Sequence, residues 1–303
     1  MKKFLSMILV VMMLLSLTAC AEAPVMKVAS PAGAPGLALA TLAVQNPENY
    51  TFVAAETISA EFASAQADFI VAPINAGAKL FKMGKSTYQL AAVVSWGNLF
   101  FASQKEGFKV EDMNGAKVVL FGENTINAAV VNYALAQNGI VPASVEYLAG
   151  AAQTQALLLT DAEAIVVTAE PALTAAMMKN AAITAYAVND LYKAATGYEG
   201  YTQAALFVKA ETIQAQPEAV KAFIEAVAAS CEQATTDVEA VANAAVALEI
   251  LPNVKVATKA IPGCAVRFVN ALDAREQIEF TANIDLSQFG GALPADDFYY
   301  VAE

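Results

Sequence analysis

Short apolar runs alternate with helix-forming segments along most of the chain. The runs VMKVAS, YTFVAA and ADFIVA have the length and composition of strands, and each leads into a helical pattern. A similar succession recurs in GAKVVLF, SVEYLAG and AEAIVV. Matching positions of the two copies have similar offsets: Lys27 and Lys117 are 90 residues apart, and Asp68 and Glu163 are 95 apart. Strands that alternate with helices predict an α/β fold whose mainly parallel sheets carry helices on their faces.

The two copies of this pattern predict two lobes. The 284 residues from position 20 onward exceed a comfortable single core. The strand pattern of YQLAAVV and LFFASQ is broken at Ser95–Asn98, which suits a chain crossing from one lobe to the other. The later run TQAALFVKA predicts a strand that crosses back, followed by helices on the first lobe. We therefore expect one lobe from residues 25–97 and 204–303, and a second from residues 98–203.

The N-terminus carries the pattern of an export signal. Lys2 and Lys3 precede the apolar run Phe4–Leu17, and small residues follow, which predicts a signal peptide over residues 1–19. The run is 14 residues long, and as a helix it would rise about 21 Å against a hydrocarbon core of about 30 Å. The segment LTAC resembles the lipobox of bacterial lipoproteins, which implies a diacylglyceryl chain on Cys20 and a short tether over residues 20–24. An exported protein with a chance cysteine is the alternative.

The net charge and the composition of the chain limit the partners that it can bind. The formal net charge is −12, and removal of residues 1–19 would make it −14 by taking away Lys2 and Lys3. Such a surface repels nucleic acid and anionic lipid, so the expected lipid bilayer contact is made by the acyl chains on Cys20. The apolar share of 57% reflects a high alanine content, and no run after the signal reaches 18 apolar residues.

The sequence lacks residues and motifs that several kinds of catalytic and cofactor site require. The chain has no histidine, which argues against histidine-based catalysis and histidine-ligated metals, and no Walker or GxGxxG motif occurs. We therefore expect no cofactor, no metal and no catalytic site. Cys231 falls on the apolar stripe of a helix, which predicts a buried thiol, while a disulfide with Cys264 stays open.

Candidate binding residues cluster where strands end. In open α/β sheets, ligands bind beyond the carboxyl ends of strands, and helix N-termini there offer free N–H groups. The candidates at these loops and at the two crossings are Ser30, Gly33, Ala34, Pro73, Asn75, Ala76, Trp96, Gly97, Asn98, Glu123, Asn124, Thr125, Glu170, Thr202 and Gln203.

Each candidate has a structural alternative. The loop at residues 30–35 can be a simple strand-to-helix turn, and Asn75, Asn124 or Thr125 can be helix caps. Glu170 can be solvated, and Trp96 can pack at the crossing without touching a ligand. The sequence leaves these alternatives open.

The lipobox together with VMKVASPAGAPGLALA, ADFIVAPINAGAKLF, MNGAKVVLFGENTINAAVVNYALAQNGI, TAEPALTAAM and AQPEAVKAFIEAV resembles the substrate-binding lipoproteins of ABC importers. The most similar group handles pyrimidine thiamine precursors, sulfonates, nitrate and taurine. The resemblance implies a type II periplasmic-binding-protein clamshell, which closes on a small-molecule ligand and docks on an ABC permease in the cytoplasmic membrane. It also implies a monomer that acts outside the cytoplasm without catalysis.

The same residues bear on the ligand. Only two arginines occur, Arg267 and Arg275, and the Ser, Thr and Arg clusters expected for sulfonate or nitrate are thin. Aromatic and carboxylate side chains favour a neutral or weakly cationic heterocycle. A surface protein that binds other proteins, or an enzyme on the same fold, remains the competing interpretation.

Overall fold

Two β-sheets organise the residues that the computed structural model describes, 25–302. The signal peptide, the tether and Cys20 lie outside this range. The strands are β1 Val28–Pro31, β2 Tyr50–Val53, β3 Phe69–Pro73, β4 Tyr88–Ser95, β5 Leu99–Ser103, β6 Lys117–Phe121, β7 Ser144–Leu148, β8 Ile165–Ala169, β9 Thr184–Ala187, β10 Ala204–Lys209 and β11 Val266–Asn270.

Helices follow most of these strands. They are α1 Ala34–Leu37, α2 Ala40–Ala43, α3 Ser59–Ser64, α4 Ile74–Lys82, α5 Ile126–Gln137, α6 Ala151–Thr160, α7 Ala172–Met177, α8 Val188–Thr196, α9 Ala210–Ala215, α10 Pro217–Thr236, α11 Val238–Ala247, α12 Val254–Ala260 and α13 Ala271–Ile284. None of the helices within residues 25–302 is both long and apolar enough to cross a membrane.

The two sheets share one plan. The first has the order β11-β4-β10-β3-β1-β2 and the second the order β7-β6-β8-β5-β9. The succession β2-β1-β3-β10-β4 of the first therefore recurs as β7-β6-β8-β5-β9 in the second. The repeat seen in the sequence corresponds to this shared topology, and the two-lobed α/β fold is confirmed.

Both sheets are mixed. Parallel pairing is found within β2-β1-β3 and within β7-β6-β8. The strands β10 and β5 lie inside their sheets and run antiparallel to both neighbours. Both follow a crossing between the sheets, so each enters its sheet from the opposite direction.

The chain passes between the sheets twice. β4 ends at Ser95 and β5 begins at Leu99, so only residues 96–98 separate them, as the broken strand pattern predicted. The return runs from α8 through residues 197–203 into β10. We retain residues 25–97 with 204–303, and residues 98–203, as the proposed lobes, called lobe 1 and lobe 2 below.

The core continues through the junction of the two lobes. One apolar cluster includes Phe207 of lobe 1, Val167 of lobe 2, and Trp96 and Tyr201 at the crossings. At Gly77, an added Cβ would lie 2.4 Å from Cζ of Phe207, so the glycine lets α4 pack closely on β10. Burial of each large apolar side chain stabilises the folded state by about 1.5–3 kcal/mol, so the residues at the junction contribute to the stability of the core.

Cys231 and Cys264 are both buried free thiols in the cluster on the other face of the first sheet. Burial raises the pKa of the Cys231 thiol to about 12 and also raises the pKa of Cys264. The prediction of a buried core thiol at Cys231 is confirmed.

Candidate functional site

The candidate site lies where the two lobes meet at the carboxyl ends of their parallel strands. β1 and β3 are parallel neighbours in lobe 1, and β6 and β8 are parallel neighbours in lobe 2. Their carboxyl ends therefore share one edge of each sheet. The helix α4 starts directly after β3, and α5 starts five residues after β6.

Gln203 connects the two lobes at this edge. Its side-chain oxygen accepts a hydrogen bond of 3.1 Å from the Ser95 hydroxyl. Its Nε2 donates to Oδ1 of Asn98 at 3.0 Å and to Oδ1 of Asn127 at 3.4 Å. The Ile74 N–H donates to the Gln203 carbonyl at 3.1 Å. One glutamine therefore contacts both crossings and the first turns of α4 and α5.

Asn98 carries the network on to Glu170. Its Nδ2 donates to the Glu170 carbonyl at 2.9 Å, and the Glu170 N–H donates to the Asn98 carbonyl at 3.0 Å. The Glu170 carboxylate accepts hydrogen bonds from the N–H and the hydroxyl of Thr174, at 3.1 and 2.7 Å. Glu170 is 7% exposed, so it is not a solvated side chain.

The surroundings of Glu170 also belong to both lobes. A Cβ added at Gly263 of lobe 1 would lie 3.0 Å from Cγ of Glu170 and 3.2 Å from Phe100 of lobe 2. Burial raises the pKa of the Glu170 carboxyl, and the hydrogen bonds from Thr174 oppose that rise. The glutamate thus lies where the lobes touch and is bonded to the start of α7.

Two buried polar atoms at this edge have no hydrogen-bond partner within residues 25–302. They are Oδ1 of Asn75 and Oγ1 of Thr202. The ladder pairs Pro73 with Ala204 and continues through the Ile74 to Gln203 hydrogen bond, so Asn75 and Thr202 lie at the same end of it. Asn75 is not a helix cap, because the cap position of α4 is Pro73. A buried polar group left unpaired costs about 1–3 kcal/mol, so each of these two atoms has an unused capacity for a hydrogen bond.

Trp96 and Gly97 form the first crossing. Trp96 is 3% exposed, its Nε1 donates to the Arg267 carbonyl at 2.8 Å, and the Arg267 guanidinium lies 4.3 Å from the ring centroid. Gly97 has a φ of 87°, and Asn189 Nδ2 donates to the carbonyls of Trp96 and Gly97 at 2.9 and 3.0 Å. Trp96 therefore packs at the crossing, which was the structural alternative.

The loop after β1 has local contacts. Ser30 is 1% exposed and its hydroxyl donates to the carbonyl of Pro31 at 3.1 Å. Gly33 has a φ of 89° with open space around it, and the buried Ala34 begins α1. On the neighbouring strand β3, the half-buried Pro73 is the N-cap of α4. The half-buried Ala76 lies in the first turn of that helix.

The loop after β6 is more open. Thr125 caps α5: its hydroxyl accepts from the Ala128 N–H at 3.3 Å and donates to the Gly122 carbonyl at 2.6 Å. Glu123 and Asn124 are exposed at the tip of the loop. Thr125 is thus a helix cap, which was one of the structural alternatives.

Sequence reasoning missed Asn127 and Tyr201. Tyr201 is fully buried and donates from its hydroxyl to Oδ1 of Asn127 at 3.1 Å. A signal existed: α4 begins Ile-Asn-Ala at Ile74, and α5 begins Ile-Asn-Ala at Ile126. Asn75 and Asn127 are therefore the second residues of helices that begin with the same motif.

Two cavities flank the junction. One, of about 580 Å³, lies between lobe 2 residues including Phe100 and Glu170 and the lobe 1 residues Lys259 and Gly263. The other, of about 550 Å³, is lined by Trp96, Asn189, Glu199, Arg267 and neighbouring residues of α10 and β11. Across the described part of the chain, no cluster of three or more histidine, cysteine or carboxylate side chains is arranged to hold a metal ion.

A family model described as NMT1/THI5 like matches residues 36–240, more than half of the chain. The chain belongs to the NMT1/THI5-like family. The resemblance drawn from its motifs is thereby confirmed at the level of the family. No match to this NMT1/THI5-like chain was found among curated proteins.

Solved structures share the fold of this NMT1/THI5-like chain. A crystal structure of an ABC transporter from Parabacteroides distasonis matches with a TM-score of 0.79 at 21% identity, over 92% of this chain and 99% of that one. The periplasmic aliphatic sulphonate binding protein SsuA from Escherichia coli matches at 0.70 and 14% identity, over 92% of each chain. The alkanesulfonate-binding SsuA from Xanthomonas axonopodis pv. citri, bound to MOPS, matches at 0.60 and 12% identity, over 90% and 94%.

Proposed function

We propose that this protein is a lipid-anchored, extracytoplasmic solute-binding protein that captures a small molecule between its two lobes and delivers it to an ABC importer. The observation that carries the proposal is the pair of buried atoms at the lobe junction that have no partner within residues 25–302, Asn75 Oδ1 and Thr202 Oγ1. The membership in the NMT1/THI5-like family and the fold shared with ABC importer components support it.

The mechanism is binding with closure. The lobes are joined by residues 96–98 and 197–203, which are short enough to serve as a hinge. A ligand that satisfies groups contributed by both lobes stabilises the closed form by its differential contacts there. The closed form would then be the one that the permease recognises.

The proposal includes no catalytic step. The groups that meet at the junction are amides, hydroxyls and a carboxylate bonded to Thr174. Amides and hydroxyls hold and orient a ligand without activating a nucleophile. We therefore expect the ligand to be released unchanged.

For the ligand we propose a neutral or weakly cationic heterocycle, similar to a pyrimidine precursor of thiamine. The two arginines that an anion would use have other partners. Arg267 stacks on Trp96, and Arg275 pairs with Glu279 at 2.7 Å and Asp296 at 2.6 Å. Sulphonate binding is described for the SsuA proteins, and the proposal here departs from it.

The anchor is proposed on the sequence of LTAC at residues 17–20. Two acyl chains hold a protein stably on a membrane, and a tether raises its effective concentration beside a permease. Mass spectrometry of the N-terminal peptide from the full chain expressed in a bacterium tests this. A diacylglyceryl group on Cys20, absent from Cys20→Ala, supports the anchor, and an unmodified Cys20 in a cleaved or uncleaved chain contradicts it.

Thermal unfolding with a ligand panel tests the receptor function. The panel contains pyrimidines, thiamine, flavins, sulfonates, amino acids and nitrate. A ligand at one hundred times its Kd adds about 2.7 kcal/mol, which raises Tm by roughly 5–10 °C in a protein of this size. Recovery of the ligand unchanged after incubation separates binding from turnover.

The contrary result is equally clear. An absence of any shift, with no small molecule recovered from the purified protein, would contradict the receptor. A surface lipoprotein that binds other proteins would then take its place. Conversion of a panel member to product would point to an enzyme on the same fold.

A further inference from the structure

Asn75 and Asn127 share a local sequence motif but differ in their hydrogen bonds. Each is the second residue of a helix that begins Ile-Asn-Ala. In lobe 2, Asn127 Oδ1 accepts from the Tyr201 hydroxyl at 3.1 Å and from Gln203 Nε2 at 3.4 Å. In lobe 1, Asn75 Oδ1 is buried and accepts from no group in the described chain. The described chain thus supplies two donors to Asn127 Oδ1 and none to Asn75 Oδ1.

Thr202 has a second buried polar atom without a hydrogen-bond partner in the described part of the chain, at the same end of the β3–β10 ladder as Asn75. Its side chain is 2% exposed, and its Oγ1 has no partner within residues 25–302. Its neighbours on both sides are satisfied, since Tyr201 and Gln203 bond to Asn127. Thr202 and Asn75 both lie just beyond the same end of the β3–β10 ladder.

The unpaired group at Asn75 does not suit an anion. The atom is an acceptor oxygen, and an anionic group brought against it would be repelled. Among the described residues, the guanidinium groups of Arg267 and Arg275 contact Trp96 and the carboxylates Glu279 and Asp296. The net charge of the whole chain, −12, acts in the same direction.

We propose that Asn75 and Thr202 determine specificity, and that they select an uncharged or cationic ligand which donates an N–H or O–H to Asn75 Oδ1 while bonding the Thr202 hydroxyl. Anionic ligands are rejected at this position. The inference rests on the proposed function and concerns which ligands the same site accepts.

The test uses four variants and four probes. Asn75→Asp keeps the acceptor Oδ1 and removes the amide donor, whereas Asn75→Leu removes both. Thr202→Ser keeps the hydroxyl, and Thr202→Val replaces it with a methyl group of similar size. Nicotinamide and cytosine serve as uncharged donors, and methanesulfonate and nitrate serve as anions. Titration calorimetry measures Kd, and the unfolding midpoint of each variant without probe shows whether it folds.

We expect an uncharged probe to bind the wild type, with both anions at least tenfold weaker. Asn75→Asp and Thr202→Ser should stay within about fivefold of the wild-type Kd. Asn75→Leu and Thr202→Val should each lose about tenfold or more, because a buried donor on the probe is then left unpaired.

Two results would overturn the inference while leaving the receptor function intact. One is tighter binding of methanesulfonate or nitrate than of either uncharged probe. The other is loss of binding in Asn75→Asp to the same extent as in Asn75→Leu, which would show that the amide donates to the ligand. Binding of no probe by a folded wild type would overturn this inference, and failure of the wider thermal panel as well would overturn the proposed function.

Discussion

The close packing of Gly97 leads to a specific prediction for Gly97→Ala. Gly97 has a φ of 87°, and a Cβ there would lie 2.4 Å from Cε1 of Tyr201 and 2.7 Å from Oδ1 of Asn189. The left-handed backbone costs a non-glycine residue about 1–2 kcal/mol, and overpacking adds about 1–3 kcal/mol. We therefore expect the free energy of unfolding to fall by about 2–5 kcal/mol. The expected drop in Tm is roughly 5–15 °C.

Gly107→Ala is the matched control. Gly107 has a φ of 68°, and no atom lies within 4 Å of its added Cβ, so this variant carries the backbone cost alone. Urea unfolding of both variants isolates the contact cost at Gly97, which should be about 1–3 kcal/mol. Equal destabilisation of the two variants would refute the close packing of Gly97 against Tyr201 and Asn189.

Three further outcomes follow from buried groups. Burial raises the pKa of Glu170 above its ordinary 4.5, so ionisation near neutral pH opposes folding. The free energy of unfolding of the wild type, measured relative to Glu170→Gln, should therefore rise as the pH falls from 7 towards 4.5, and a constant difference would contradict this. Burial raises the pKa of Cys231 to about 12, and Cys264 is buried as well. Peptide mapping should therefore find neither cysteine labelled by a thiol reagent at pH 8 until denaturant is added. Rapid labelling in the folded protein would be contrary evidence. Thr202→Val should stabilise the unliganded protein by about 1 kcal/mol by removing an unpaired hydroxyl, and a lower Tm than wild type would count against that assignment.

The organisation of the fold could be predicted because its signals are local. The interruption between YQLAAVV and LFFASQ marked the end of β4 and the start of β5. The antiparallel placement of β5 and β10 depends on which strands they join, which is a tertiary choice. The strand β11, Val266–Asn270, contains an exposed arginine at its second position and carries a weak apolar pattern.

Part of the candidate site could also be predicted from the sequence, because its signals are local. A strand end followed by a helix made Asn75 a candidate, and the two crossings made Asn98 and Gln203 candidates. The structure brings the three residues to one edge. The role of each residue depends on partners distant in sequence, such as Asn127 for Gln203, 76 residues away. Whether Trp96 packs at the crossing or faces a ligand likewise depends on Arg267, 171 residues further along.

The distance between the lobes, measured with and without ligand, tests the central claim most directly. Glu56, after β2, and Gln153, at the start of α6 after β7, are exposed near the outer edges of the two lobes. Cysteines at both positions, in a Cys20→Ala background, accept spin labels while the buried Cys231 and Cys264 do not. Capture between the lobes predicts that the molecule which raises Tm also shortens and narrows the Glu56–Gln153 distance distribution. An unchanged distribution at saturating ligand would contradict closure of the lobes.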